Sequence, residues 1–208
     1  MTVRTLRDAE RDYSRVVPLT VEQYHEMIAE GILEEGKPIE LIDGLLVRKD
    51  RSRQGGESMT VGYEHALVVQ SLSELNELLK DHGCHMRTQN PITLPPNSEP
   101  EPDGALVRGD RGNYRVRHPM PADILGVVEV ADSSLKDDRT IKQRLYADAG
   151  IALYVLINLV DHAIEVRTQP VSGEGRYAAV ATLPVGQTLS LPLADGTKLE
   201  IPTERLLP

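Results

Sequence analysis

Two acidic residues border apolar segments in positions where a pair of carboxylates could bind a metal ion. Asp103 directly precedes the short apolar run at residues 104–107, and Glu129 lies inside the apolar run ILGVVEV at residues 124–130. An ionised carboxylate within such a strand is unfavourable unless a cation or hydrogen-bond donors meet it. If the two strands pair, Asp103 lies beside Glu129. Two adjacent carboxylates suit magnesium or manganese better than zinc.

Each acid also has an ordinary structural explanation. Asp103 precedes a glycine, where an aspartate is often only a turn former. Glu129 could emerge into solvent at the end of its strand, or it could cap the turn at Ser133 and Ser134. Both alternatives remain open from the sequence.

A lysine follows the second acid on a predicted helix from Asp137 to Ala149. Asp138 and Lys142 are four residues apart and therefore share one helical face, which Tyr146 continues. The pair could be an ordinary surface ion pair that contributes little to stability. If the helix instead packs over the strand end that carries Glu129, the Lys142 ammonium lies beside the metal. It could there orient a water molecule or stabilise charge on a phosphate.

Two residues earlier in the chain could support such a site. Glu40 alternates with apolar residues in a predicted hairpin strand, so it either supports the site or belongs to the polar face of the strand. His65 lies on the apolar face of a long predicted helix, where a hydrogen-bonded core histidine is the common alternative. A different group, formed by His82, Cys84 and His85, lacks a fourth ligand at a usual spacing and is disfavoured as a zinc site.

The elements that must position these residues alternate between helices and strands. Thr20 and Gln23 have capping-box spacing at the start of a helix, and Asp43-Gly44 between apolar segments predicts a hairpin. A long helix is predicted over residues 60–81 and is ended by Gly83. Strands are predicted at residues 84–89, 104–107, 124–130 and 151–157, with short meander strands after them. The pattern predicts one α/β domain over residues 20–208, preceded by an N-terminal tail over residues 1–19.

Composition excludes several classes of protein. The chain has 208 residues, 40% hydrophobic and 26% charged, as in ordinary globular proteins. No apolar run approaches the roughly 20 residues of a membrane span, and the charged start MTVRTLRDAERDYSR is unlike a secretory signal. We therefore expect a cytoplasmic protein without a membrane partner. The single cysteine excludes an internal disulfide.

The net charge of −9 argues against nucleic-acid binding over the whole surface, but two local clusters are basic. Both clusters fall in predicted loops, which could contact phosphates or could simply be solvated. The first contains Arg48, Lys49, Arg51 and Arg53, and the second contains Arg108, Arg111, Arg115, Arg117 and His118.

The order of these features resembles the PD-(D/E)XK nuclease superfamily. The segments IELIDGLLV, QNPITLPPNSEPEPDGALV and VVEVADSSLKDDRTIKQRLYADAGI, together with His65, resemble the Uma-two family of restriction endonuclease-like proteins over about residues 20–195. Position 131 is Ala131, where the superfamily motif has lysine, and the Uma-two family is similar in lacking that strand lysine. The residues at three places differ from those usual in the Uma-two family, namely Val155, Asn158 and Arg48-Lys49.

The resemblance implies a restriction-endonuclease-like mixed central sheet flanked by helices, with an N-terminal helix and hairpin and C-terminal meander strands. It implies that Asp103, Glu129 and a main-chain carbonyl near Val130 bind Mg²⁺, for which Mn²⁺ can substitute. Lys142 would replace the motif lysine, and Glu40 and His65 would support the site. DNA is the implied substrate, and a homodimer is the implied assembly.

Two functional hypotheses follow. The first is a divalent-metal-dependent endonuclease that hydrolyses phosphodiester bonds in DNA. The second is a catalytically inactive nuclease-fold scaffold or a nucleic-acid-binding module. Because the set of two acids and a lysine is complete, the sequence favours the enzyme.

Overall fold

A computed structural model describes residues 16–34, 36–49 and 62–208, so most of the predicted N-terminal tail lies outside the described residues. Helix α1 (Val21–Ala29) begins with the predicted capping box between Thr20 and Gln23. Strands β1 (Ile39–Ile42) and β2 (Leu45–Arg48) then form an antiparallel hairpin. Its turn residues have positive φ angles, +50° at Asp43 and +75° at Gly44, as the predicted type I′ turn requires.

The predicted helix over residues 60–81 is interrupted in the structure. It consists of α2 (Tyr63–Glu74) and α3 (Asn76–Leu79), and its first predicted residues lie outside the described range. The Asn76 amide donates to the carbonyl oxygens of Ser73 and Met86 and accepts from the Met86 amide nitrogen. A side chain that binds backbone groups in this way competes with helical hydrogen bonds, which explains the interruption.

A six-stranded mixed sheet forms the centre of the molecule, as the resemblance implied. Its strands lie in chain order, and every neighbouring pair is antiparallel except the parallel pair β5 and β6. The strands are β3 (Cys84–Thr88), β4 (Gly104–Arg108), β5 (Ile124–Ala131), β6 (Leu153–Asn158), β7 (Ala163–Val171) and β8 (Arg176–Pro184). The pairing of β4 with β5 shifts register at a bulge between Leu106 and Val107.

A helical connection joins the parallel strands β5 and β6. It contains α4 (Leu135–Asp137), a π-helical turn over Asp138–Lys142 and α5 (Gln143–Asp148). The predicted start of this helix at Asp137 is wrong, because the helix already begins at Leu135 after Ser134. Gly150, with a φ of +74°, ends the connection.

The sheet is covered on both faces, and β5 shows how its residues divide between them. Val128 and Val130 pack with α2, α3 and the hairpin of β9 (Thr188–Pro192) and β10 (Lys198–Pro202). Val127 and Ala131 pack on the opposite face with α5. Because strand side chains alternate, Glu129 shares the face that α5 covers. No helix among the described residues is long and apolar enough to cross a membrane.

Candidate active site

Asp103 and Glu129 lie side by side at the adjoining ends of β4 and β5. The register pairs Gly104 with Val128, which places the residue before Gly104 opposite the residue after Val128. The Asp103 amide nitrogen lies 3.4 Å from Glu129 Oε2. Residues directly opposite each other in an antiparallel pair point to the same face. The structure therefore brings the two predicted acids together on the face that α5 covers.

The Asp103 carboxylate is held mainly through one of its oxygens. Asp103 Oδ2 accepts from the Val130 amide nitrogen at 2.9 Å and lies 3.2 Å from His65 Nε2. Burial raises the pKa of Asp103, but the contacts with His65 and Val130 outweigh it and hold the pKa below its usual value. Asp103 Oδ1 has a longer contact, 3.5 Å from Gln89 Nε2. Asp103 is therefore ionised and has one weakly bonded oxygen.

The Glu129 carboxylate is arranged in the same way. Its Oε1 accepts a 2.6 Å hydrogen bond from the Tyr146 hydroxyl and lies 3.6 Å from Lys142 Nζ. Its Oε2 makes the long 3.4 Å contact with the Asp103 amide. Burial raises the pKa of Glu129 and, although Lys142 opposes this, the Asp103 carboxylate adds to the rise. The solvent and turn-capping alternatives for Glu129 are wrong, since Glu129 is 5% exposed and its partners are Asp103, Lys142 and Tyr146.

Lys142 lies between Glu129 and Glu40. Its Nζ is 2.8 Å from Glu40 Oε1, and the same Glu40 oxygen accepts from the Glu101 amide nitrogen at 2.7 Å. Burial lowers the pKa of Lys142, but the carboxylates of Glu129 and Glu40 outweigh burial and raise it above its usual value. Lys142 is therefore a firmly protonated ammonium group. The interpretation of Lys142 as half of a surface ion pair is wrong, because its side chain is only 13% exposed.

Asp138 is a further buried acid on the π-helical turn. The Ser134 hydroxyl donates to Asp138 Oδ2 at 2.6 Å, and the Tyr154 hydroxyl donates to the Asp138 carbonyl oxygen at 3.0 Å. Burial and the nearby Glu129 carboxylate raise the pKa of Asp138 to about 8. At neutral pH its carboxyl group is therefore mostly neutral.

Two residues near these acids are not among the predicted site residues. For Tyr146 the only signal in the sequence is that it continues the helical face of Lys142 at i, i+4 spacing. Lys49 is predicted only as part of a basic loop. Its Nζ donates to the Glu101 carbonyl oxygen at 2.7 Å and lies 3.7 Å from a Glu101 carboxylate oxygen. Nothing in the local sequence around Lys49 indicates that contact, which depends on the docking of the hairpin.

The disfavoured zinc group of His82, Cys84 and His85 is dispersed. His82 Nδ1 lies 2.7 Å from Asp195 Oδ2, while His85 Nδ1 lies 2.8 Å from the Gly109 carbonyl oxygen. Each ring is thus bound to a different neighbour.

A cleft of about 1510 Å³ adjoins this region. Lys49 and Glu101 line it. The Glu101 amide nitrogen donates to Glu40 Oε1, the oxygen that also contacts Lys142. Arg115 and Arg117 from the second basic cluster also line the cleft, but Arg117 is paired with Asp123 at 2.6 Å. The predicted basic residues Arg51 and Arg53 lie outside the described residues.

The model of the Uma2 family, described as "putative restriction endonuclease", matches residues 21–204. The chain belongs to the Uma2 family. This confirms the resemblance to the Uma-two family, and the match includes every residue of the site described above. No curated protein matches this Uma2 chain.

A solved structure has the same fold as this Uma2 chain. It is a crystal structure of a "putative nuclease belonging to DUF820" from Anabaena variabilis, with 14% sequence identity and a TM-score of 0.65. The similarity covers 91% of this chain and 97% of the other. At that level of identity the comparison establishes the nuclease-like fold of the Uma2 chain, which confirms the predicted fold class.

Proposed function

We propose that this Uma2 chain is a divalent-metal-dependent endonuclease that hydrolyses phosphodiester bonds in DNA. The observation that carries the proposal is the pair of buried carboxylates, Asp103 and Glu129, beside the protonated Lys142. Each carboxylate has one firmly bonded oxygen and one with a contact of 3.4 or 3.5 Å. Family membership and fold support the same activity.

The two weakly bonded oxygens, Asp103 Oδ1 and Glu129 Oε2, are the proposed metal ligands. Val130 would add its main-chain carbonyl, since its amide donates to Asp103 and both polar groups of a strand residue point toward the same neighbouring strand. An all-oxygen ligand set fits Mg²⁺, with Mn²⁺ as a substitute. When bound, the ion would polarise the phosphate and lower the pKa of a water molecule.

The protein side chains would position and stabilise the reacting groups. Lys142 is held as a cation by Glu40, so it cannot accept a proton from water. It can donate a hydrogen bond to the attacking water or to a phosphate oxygen that gains charge. His65 fixes the orientation of Asp103, and Tyr146 fixes that of Glu129. These contacts would keep both acids preorganised for the ion.

The assembly and the location of the protein remain predictions from the sequence. We propose a cytoplasmic homodimer, because the resemblance implies a dimer and the sequence contains no apolar run of membrane-spanning length. Analytical ultracentrifugation of the full chain would test the dimer directly.

Cleavage of supercoiled plasmid DNA tests the proposed activity. The wild-type protein should convert the plasmid to nicked or linear DNA with Mg²⁺ or Mn²⁺ and should be inactive with EDTA. Glu129→Gln and Asp103→Asn should each reduce the rate by about 100-fold or more. Glu200→Gln is the matched control, because Glu200 is an exposed strand carboxylate bonded to Ser190.

A wild-type protein that binds the same plasmid but does not cleave it with either ion would contradict the endonuclease. That result would support the alternative of an inactive scaffold or nucleic-acid-binding module. Equal cleavage by wild-type protein and Glu129→Gln would assign the activity to other residues or to a contaminant.

A further inference from the structure

Three side chains from separate parts of the chain converge in a cluster that does not include Asp103 or Glu129. His25 lies on α1, Glu99 lies on the extended segment that leads to β4, and His118 lies in the loop between β4 and β5. One ligand atom from each of the three residues lies within 4.8 Å of the other two. No local pattern indicates this cluster, because its members are separated by 74 and 19 residues along the chain.

The geometry of the cluster centres on the Glu99 carboxylate. His25 Nε2 lies 2.8 Å from Glu99 Oε1 and 3.0 Å from Oε2, and His118 Nε2 lies 4.0 Å from Oε1. The Thr93 hydroxyl donates to Glu99 Oε2 at 2.7 Å and fixes the carboxylate. Both imidazole rings therefore present Nε2 to the same carboxylate.

We propose that His25, Glu99 and His118 form a binding site for a transition-metal ion, with Zn²⁺ as the best match. Two imidazole nitrogens and one carboxylate oxygen are a known type of zinc ligand set, and zinc bonds to such atoms are about 2.0–2.2 Å long. In a tetrahedral site those bonds separate the ligand atoms by roughly 3.3 Å. The contacts of 2.8 and 4.0 Å lie on either side of that separation, so small side-chain rotations suffice.

The burial of Glu99 supports this assignment. Its side chain is 3% exposed, whereas those of His25 and His118 are 48% and 35% exposed. A buried carboxylate needs a compensating cation or hydrogen-bond donors. A divalent ion would neutralise Glu99 and use the nitrogens in the neutral state in which imidazole binds metals.

The cleft gives the site an open position. His25, Glu99 and His118 all line the cleft of about 1510 Å³, together with Lys49 and Arg115. Three protein ligands leave the fourth position of a tetrahedral zinc ion to water or to an anionic ligand. The ion would also connect α1 to the loop between β4 and β5, which carries His118. This site differs in ligand chemistry from the all-oxygen pair Asp103 and Glu129, so the two should select different metals.

Titration with the metal alone tests the site in the full-length protein. Isothermal titration of Zn²⁺ and the visible absorption of bound Co²⁺ should show one nitrogen-containing site per chain. Either His118→Ala or His25→Ala should weaken Zn²⁺ binding by about 100-fold or more and remove the Co²⁺ signal. Zn²⁺ should raise the melting temperature of the wild-type protein and of neither variant.

Two controls separate this site from other metal binding. His82→Ala removes a partly exposed histidine that is paired only with Asp195 in the described part of the chain, and it should bind Zn²⁺ like wild type. Glu129→Gln should also keep the Zn²⁺ site, which makes the result independent of the proposed nuclease activity. Unchanged Zn²⁺ affinity in both His25→Ala and His118→Ala, or no wild-type binding, would overturn the proposal.

Discussion

Lys142 Nζ lies 2.8 Å from Glu40 Oε1, although 102 residues separate the two in the chain. The contact joins the N-terminal hairpin to the helical connection between β5 and β6. A second ion pair, between Arg144 on α5 and Asp43 in the hairpin turn, links the same two elements. The hairpin therefore fixes the position of the ammonium group that faces Glu129.

Removing the charge of Glu40 should therefore cost both stability and activity. In Glu40→Gln the buried Lys142 loses its closest partner, and breaking a buried ion pair costs about 3 kcal/mol in the free energy of unfolding. We also expect cleavage to fall by about 10-fold or more, because Lys142 is no longer held in place. Urea denaturation and plasmid cleavage measure the two effects.

Glu34→Gln is the control for Glu40→Gln. Glu34 is paired with Lys37, but both side chains are more than half exposed. Glu34→Gln should therefore lower the free energy of unfolding by no more than about 0.5 kcal/mol. Equal stability losses in the two variants would contradict a special role for the Glu40–Lys142 pair.

Tyr146→Phe should weaken metal binding more than it weakens the fold. Burial already raises the pKa of Glu129, and removing the Tyr146 hydrogen bond should raise it further. We expect Mn²⁺ affinity to fall about 10–100-fold and the pH midpoint of Mn²⁺ binding to rise. Isothermal titration at several pH values measures both.

Tyr177→Phe is matched to Tyr146→Phe, because the Tyr177 hydroxyl is also buried and donates to the Ile151 carbonyl oxygen. Each variant should lose about 1 kcal/mol of stability. Only Tyr146→Phe should change Mn²⁺ binding. The same change in both variants would assign the effect to packing.

Asp138 should make the stability of the metal-free protein depend on pH. Its folded pKa of about 8 lies above the unfolded value, so the folded state binds the proton more tightly. This contribution is complete below the unfolded pKa of about 3.9, declines as the pH rises, and is lost above pH 8. Asp138→Asn removes it, so the stability of the variant should decline less between about pH 4 and 8.

Urea denaturation in EDTA across this range measures the effect. The slopes of wild-type protein and Asp138→Asn should differ by up to about 1.4 kcal/mol per pH unit, which is the limit for one proton. Asp137→Asn, at the exposed neighbouring position, should retain the wild-type slope. Parallel curves for wild type and Asp138→Asn would refute a neutral Asp138.

Two of the arginines that line the cleft, Arg115 and Arg117, should differ in DNA binding. Arg115 is exposed and has no ion-pair partner among the described residues, whereas Arg117 is held by Asp123 at 2.6 Å. Arg115→Gln should reduce the dependence of log K on log salt by about one unit, while Arg117→Gln should change it less. Fluorescence anisotropy with a labelled duplex at several salt concentrations provides the test. An unchanged slope in Arg115→Gln would place that residue outside the interface.

Local signals in the sequence predicted the elements that position the acids. Asp43-Gly44 predicted the hairpin because few residue pairs accept two positive φ angles, and the apolar runs predicted the central strands. The proximity of Asp103 to Glu129 followed from the pairing of those strands. For Glu40 and His65 the local pattern left both a supporting role and an ordinary structural role open, the family resemblance favoured the supporting role, and their functional roles remain predictions.

Other features depend on contacts that no local pattern encodes. The interruption after α2 arises from Asn76, whose amide contacts Met86 on a strand ten residues later. Lys49 reaches Glu101 only after the hairpin has docked. The convergence of His25 with Glu99 and His118 likewise requires three separate segments to be in place. Sequence periodicity reports which face of an element is buried, but it does not report such neighbours.

The bulge between Leu106 and Val107 separates the loop after β4 from the alignment of the two acids. It lies at the end of the β4–β5 pair that leads into the loop of residues 109–123, whereas Asp103 and Glu129 lie at the opposite end. A residue gained or lost in that loop can be accommodated at the bulge, so the pairing of β4 with β5 need not slip by one residue. Such a slip would turn one of the two acids to the other face of the sheet. Changes of length in the loop that carries Arg115 and His118 should therefore leave the alignment of the carboxylate pair unchanged.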